Sequence, residues 1–127
     1  MKKIINTKNA PAPIGPYNQA IVAGNTLYTS GQIAINPNTN TLLIDNIQDE
    51  TKLVLENLKA IVLEADFKMT DVVKCTIFIS DMNNFSAINE IYATYFTENH
   101  PARECVEVRR LPKDVNVEIS AIAIKSS

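Results

Sequence analysis

One histidine, two cysteines and three glycines are all that this chain of 127 residues holds of those types, and each shortage excludes a class of chemistry. Zinc sites draw on several His and Cys ligands, whereas His100, Cys75 and Cys105 show no ligand spacing, so no metal site is expected. A Ser-His-Asp constellation is also excluded, because His100, beside Pro101, is a poor general base. No second histidine is available to activate Cys105 as a nucleophile. Three glycines leave little room for a phosphate loop or a dinucleotide fingerprint, and neither motif occurs, so no cofactor is expected. Two cysteines make no disulfide framework, and free thiols suit a reducing cytoplasm. Excess positive charge is missing too: a net charge of −2 and a pI near 5.3 offer no footprint for nucleic acid. Met1-Lys2-Lys3 is followed by no apolar h-region, and no apolar run is long enough to cross a bilayer. The expectation is a cytoplasmic protein without a membrane partner.

What is present is an ordinary globular balance, 46% hydrophobic and 20% charged residues, in the length of a single domain, 1–127. A chain of this size buries roughly 65–70% of its unfolded surface, enough for a core without staples. Pro11, Pro13 and Pro16 stiffen the arm Ala10 to Tyr17 into extended, non-helical chain. Gln19–Ala23 and Thr26–Ile33 read as strands joined by a hairpin at Gly24-Asn25. Val54, Leu58, Ile61, Val62 and Ala65 then fall on one stripe of a helix, with Asn46 or Asp49 as its cap. Val72–Ser80 returns to period two, placing Val73, Cys75, Ile77 and Ile79 on one face and Phe78 on the other. A second helix over Asn83–Phe96 carries the stripe Phe85, Ile88, Tyr92 and Tyr95, with Asp81 or Asn83 as cap. Arg103–Leu111 and Val115–Lys125 are two further strands around Pro112-Lys113-Asp114. The order β-β-α-β-α-β-β predicts an α+β two-layer sandwich, a mixed sheet with two helices on one face. Its other face keeps apolar side chains that copies of the same chain would cover.

With covalent and cofactor chemistry disfavoured, binding and polarisation remain. Arg103 and Cys105 stand two apart in an extended segment, on one face about 6.6 Å from each other. The arginine fork matches a carboxylate bidentately; the plain alternative is a surface arginine on an edge strand. For Cys105 the plain alternative is a small buried hydrophobe. Glu118 sits inside the apolar run Val115–Ile124 and must find partners or water, unless that face is open and solvated. Tyr17 ends the rigid arm and either closes a pocket or packs. Gly31, between Ser30 and Gln32, lets another group approach the backbone or marks a bulge. Asn89 lies on the polar side of the second helix and by itself reads as solvated.

Three linked blocks resemble the RidA (YjgF) family of reactive-imine deaminases. They are Pro13-Ile14-Gly15-Pro16-Tyr17-Asn18-Gln19-Ala20, Thr29-Ser30-Gly31-Gln32-Ile33, and Pro101-Ala102-Arg103-Glu104-Cys105-Val106-Glu107-Val108 continuing through Leu111-Pro112-Lys113-Asp114-Val115 to Glu118. The likeness covers nearly the whole chain. It implies a homotrimer of chorismate-mutase-like subunits with sites between them, and hydrolysis of 2-imino acids or 2-aminoacrylate-type enamines to 2-oxo acids and ammonia. The family's functional arginine falls on Arg103, its cysteine on Cys105, its tyrosine on Tyr17 and its glutamate on Glu118. Ser30 and Asn89 match further site positions, and the glycine beside them is Gly31. The resemblance departs at Thr97-Glu98-Asn99-His100, which is shorter than in the best-known bacterial form and has histidine where an aromatic often stands.

If the last two strands pair as a hairpin, Glu118 lies opposite Val108 or Arg109, roughly 16–20 Å along the sheet from Arg103. One chain then struggles to join them, and the expectation is that Arg103 of one subunit meets Glu118 or Tyr17 of the next. Two other function classes compete with the enzyme. A non-catalytic module that binds a small carboxylate such as a 2-oxo acid would use the same arginine. An interaction protein acting on RNA or unfolded chains is disfavoured by the acidic pI.

Overall fold

The computed structural model describes residues 2–126 as one six-stranded sheet backed by two helices. The strands are β1 (Lys2–Ile5), β2 (Ala20–Ala23), β3 (Thr26–Thr29), β4 (Val72–Ile79), β5 (Ala102–Glu107) and β6 (Val117–Ile124), and the helices are α1 (Ile47–Glu64) and α2 (Phe85–Tyr95). Across the sheet the order is β1-β2-β3-β6-β4-β5. All neighbours are antiparallel except β4 and β5, which α2 joins as a crossover, so the sheet is mixed as expected. The expected order gains one element at its start: Lys2–Ile5 pairs with β2, from Lys2 opposite Ala23 to Ile5 opposite Ala20.

The core between helices and sheet follows the two periodicities. Val54, Leu58, Ile61 and Val62 of α1 are fully buried, and Ala65 nearly so. They meet Cys75, Ile77 and Ile79 of β4, Val117, Ile119, Ala121 and Ala123 of β6, and Ile88 and Tyr92 of α2. Asn46 is the cap of α1, its Oδ1 accepting from the backbone N–H of Gln48 at 2.9 Å and of Asp49 at 3.1 Å. Asp81 caps the short turn before α2 by accepting from the Asn83 N–H at 2.9 Å.

Two expectations are corrected. Val73 does not join the buried face of β4: the register against β6 shifts between Val72 and Lys74, so Val72 turns inward and Val73 outward. The last two strands do not form a hairpin either. β4 lies between them, parallel to β5 and antiparallel to β6, because a strand before the α2 crossover and one after it pair side by side. Strand ends also move inward. β3 stops at Thr29 rather than Ile33, leaving a single bridge between Gln32 and Ile119, and β5 stops at Glu107 rather than Leu111.

The face of the sheet away from the helices is partly covered by the chain itself. Ile33, Ile35, Leu111 and Val115 from two loops form a second small core against Phe78. Beyond them Tyr28, Val106 and Ile124 stand exposed on that face. Among the described residues, no helix is long and apolar enough to cross a membrane.

Candidate active site

Register decides where each polar side chain points. Arg103 is the Cα partner of Cys75 and Cys105 of Ile77, and both partners face the helices. Arg103 therefore rises from the outermost strand toward α2. There Phe85, Asn89 and Tyr92, spaced i, i+4 and i+7, present one helical face to it. The guanidinium carbon stands 4.8 Å from the centre of the Tyr92 ring and 5.7 Å from that of Phe85. Nη1 donates to Asn89 Oδ1 at 2.7 Å. Ion pairs among the described residues join Lys74 to Glu104 and Arg110 to Asp114, and neither involves Arg103. The guanidinium is thus held on one side and open on the other, beside a depression of 280 Å³ lined by Asn89, Tyr92, Ala93, Phe96, His100, Pro101 and Arg103.

Cys105 stands half-buried beside this group and packs on the main core. Burial pushes its thiol pKa up and the nearby Arg103 charge pulls it only part of the way back, which favours the neutral thiol over a nucleophilic thiolate.

Glu118 is the partner of Phe78, which in turn is the partner of Val106, so all three point away from the helices. Its carboxylate lies over Gly31. A Cβ on Gly31 would stand 2.7 Å from Glu118 Cδ, closer than side chains pack, so the glycine is what admits the carboxylate. Desolvation pushes the Glu118 pKa up, and among the described residues no cation or hydrogen bond pulls it back. Around it a cavity of 310 Å³ is walled by the proline arm (Pro11 to Ile14), Tyr17, Ser30 to Ile33, Ile35 and Pro112. The Tyr17 hydroxyl accepts from the Ile14 N–H at 3.2 Å, and Ser30 Oγ donates to the Asn18 carbonyl at 2.6 Å. Those bonds use the tyrosine oxygen as acceptor and the serine hydroxyl as donor, so the phenolic O–H donor and the serine lone pairs remain for a ligand.

The structure therefore sorts the expected residues into two groups. Tyr17, Ser30, Gly31 and Glu118 come together on one face of the sheet. Arg103, Asn89 and Cys105 come together on the other, at its edge. Asn89 is not merely solvated, since it holds the arginine. Val106 links the groups: it is level with Glu118 two strands away and three residues beyond Arg103, roughly 10 Å in each direction. One chain does not join them.

Three buried amides and two rings escaped sequence reasoning. Gln19 ties the proline arm to β2, accepting from the Thr7 N–H at 2.7 Å and donating to the carbonyls of Thr7, Ala10 and Pro11. Asn57 of α1 donates to the carbonyls of Ile33 and Ile35, fixing the opposite wall, while Gln32 is buried in the cavity lining. Phe85 and Tyr92 read as plain core stripe, yet they flank Arg103; their helical spacing with Asn89 was the available signal. Among the described residues, no group of three or more His, Cys, Asp or Glu could hold a metal ion.

A family model described as Endoribonuclease L-PSP matches residues 7–125. The chain belongs to this family, that of RidA and YjgF. Among its relatives, a RutC family protein of Pyrococcus horikoshii is 55% identical over 125 residues, covering 98% of this chain and 99% of its own. TdcF of Escherichia coli, named as a candidate reactive intermediate deaminase, is 49% identical over 130 residues, with all of both chains covered. The crystal structure of E. coli TdcF with bound serine matches this fold with a TM-score of 0.94 at 48% identity, covering 98% of this chain and 99% of that one. That of the E. coli YjgF gene product matches with a TM-score of 0.93 at 47% identity and the same coverage. The resemblance read from the three sequence blocks is thereby established for the family and for the fold of this RidA-family chain.

Proposed function

We propose that this RidA-family chain hydrolyses 2-imino acids, and the enamine tautomers of the 2-aminoacrylate type, to 2-oxo acids and ammonia. The site forms where the Arg103 face of one subunit meets the Glu118 face of the next in a homotrimer. The observation that carries the reading is the split itself. Among the described residues, the guanidinium on one face has no carboxylate partner and the desolvated carboxylate on the other has no cation. Each half lacks what the other supplies. The bound serine of TdcF, a small amino acid, supports a ligand of this class.

The chemistry asks little of the protein. Arg103 grips the substrate carboxylate bidentately and fixes the imine carbon. An enamine first takes a proton at its terminal carbon to become the imine. Glu118 accepts a proton from a water whose oxygen adds to the imine carbon and passes that proton to the imine nitrogen, which gives the carbinolamine and frees the carboxylate again. The carbinolamine then collapses: its hydroxyl proton passes by way of Glu118 to the nitrogen, the C–N bond breaks as the C=O bond forms, and ammonia leaves with the carboxylate restored. Tyr17, Ser30 and the Gly31 backbone wall the site, and Cys105 contributes its backbone N–H rather than its thiol. Phosphodiester cleavage, which the family's description names, would want an acid–base pair and a cationic groove; one histidine and a net charge of −2 supply neither.

The test is turnover. The protein is incubated with 2-iminobutyrate or 2-aminoacrylate generated in situ and 2-oxo acid release is followed. Wild type should exceed the spontaneous rate, and Arg103→Ala should return to it. Equal rates for the two proteins would leave a carboxylate-binding module as the better reading.

A further inference from the structure

We infer that Tyr92 is a positioning residue for Arg103 and that it acts through its ring rather than its hydroxyl. The inference rests on the carboxylate-gripping role of Arg103. A long, flexible arginine on an outermost strand loses rotamer freedom when it binds a ligand, and affinity rises when that freedom is removed beforehand. Asn89 alone cannot do this, because one hydrogen bond leaves the guanidinium plane free to swing about it. The Tyr92 ring, 4.8 Å below the guanidinium carbon, supplies the missing constraint by offering its π-face as a floor. The ring is itself fixed: it is 93% buried, taking the complement of its 7% exposure, and packs at 4.7 Å and 36° against Phe96.

The hydroxyl points elsewhere. It is buried beside the Cys75 thiol, whose sulfur is near enough for a weak contact, and makes no well-aligned hydrogen bond among the described residues. Burial holds both groups in their neutral forms. A buried hydroxyl with at most a weak sulfur contact contributes little stability and carries a desolvation cost. Ring and hydroxyl can therefore be separated by substitution, because phenylalanine keeps the floor and removes only the buried hydroxyl.

The experiment compares Tyr92→Phe, Tyr92→Leu and Ile88→Ala in the imine turnover assay, with thermal melting of each. Ile88 is buried on the same helix and supplies neither a ring nor a hydrogen bond to the guanidinium. Tyr92→Phe should keep kcat and KM within about twofold and melt no lower than wild type. Tyr92→Leu should raise KM about tenfold with kcat changed less than threefold, the mark of a loosened anchor rather than damaged chemistry. Ile88→Ala should melt lower without raising KM. The ring assignment is overturned if Tyr92→Phe loses as much as Tyr92→Leu, if Tyr92→Leu keeps the wild-type KM, or if Ile88→Ala raises KM equally. Failure of the underlying reading looks different, since Arg103→Ala would then turn over like wild type.

Discussion

The two halves of the proposed site are built by opposite means. Arg103 is held by regular structure, a strand with its register set by β4 and one face of α2. The cavity around Glu118 is walled largely by irregular chain, the proline arm and the loops from Ser30 to Ile35 and around Pro112. Irregular chain leaves backbone groups without ladder partners, and here buried side chains satisfy them: Gln19 for the arm, Asn57 for Ile33 and Ile35. At the start of β6, Glu50 accepts from the Asn116 backbone and side-chain N–H groups and from the N–H of Val117, the residue next to Glu118. A single charged anchor can be aimed by a strand and a helix. A shaped wall needs loops, and loops need buried polar pins.

Breaking the anchor should have the largest effect. Arg103→Ala should lower kcat/KM for 2-iminobutyrate by about 10³-fold, since it removes a charged, bidentate contact. Mixing denatured Arg103→Ala and Glu118→Gln chains in equal amounts and refolding them together should then restore activity at about a quarter of the sites, those that draw the intact residue from each partner. No recovery on mixing would mean that the halves do not meet across subunits.

Glu118→Gln should come next, with kcat down about 10²-fold and KM little changed. Because burial raises its pKa, wild-type activity should fall on acidification at a pH above that of an ordinary glutamate, and the variant should lose this limb of the profile. The same shift acts on stability with the opposite sign. The folded state holds the Glu118 proton more tightly than the unfolded state, so the ionised form is disfavoured above the raised pKa and that cost vanishes as pH falls through it. Glu118→Gln should thus melt slightly higher at neutral pH and show no such gain near pH 4.

Gly31→Ala should displace the carboxylate and cost roughly tenfold in kcat while leaving the Arg103 half intact, so a carboxylate ligand should still bind within about threefold. The smallest effect belongs to Cys105→Ser. With the thiol neutral and half-buried, turnover should stay within about threefold, and a larger loss would give the sulfur a part in the chemistry.

Regular elements were the legible part of this sequence. The stripe of α1, its Asn46 cap and the alternation of β6 follow from local periodicity, and local periodicity is what a sequence displays. Pairing between strands is not local. The hairpin expected around Pro112 failed because β4, some thirty residues earlier, inserts between β5 and β6. Lys113 and Asp114 instead take positive φ, both at 56°, in a tight turn that belongs to the cavity rim. Val73 failed for a related reason: a bulge leaves no mark on an alternating pattern. β1 was missed because four residues, three of them exposed, give no stripe to read. For the site, the residue types were visible but their sides of the sheet were not, since a face is assigned by register.

The sheet that separates Arg103 from Glu118 also works as insulation. A lone chain owns both charges yet cannot bring them to one substrate, so on the proposed assembly a newly made or dissociated subunit is inert. Output then depends on chain concentration more steeply than in proportion wherever subunits come apart. Dilution becomes an off switch, built from nothing more than the alternation of side chains along a strand.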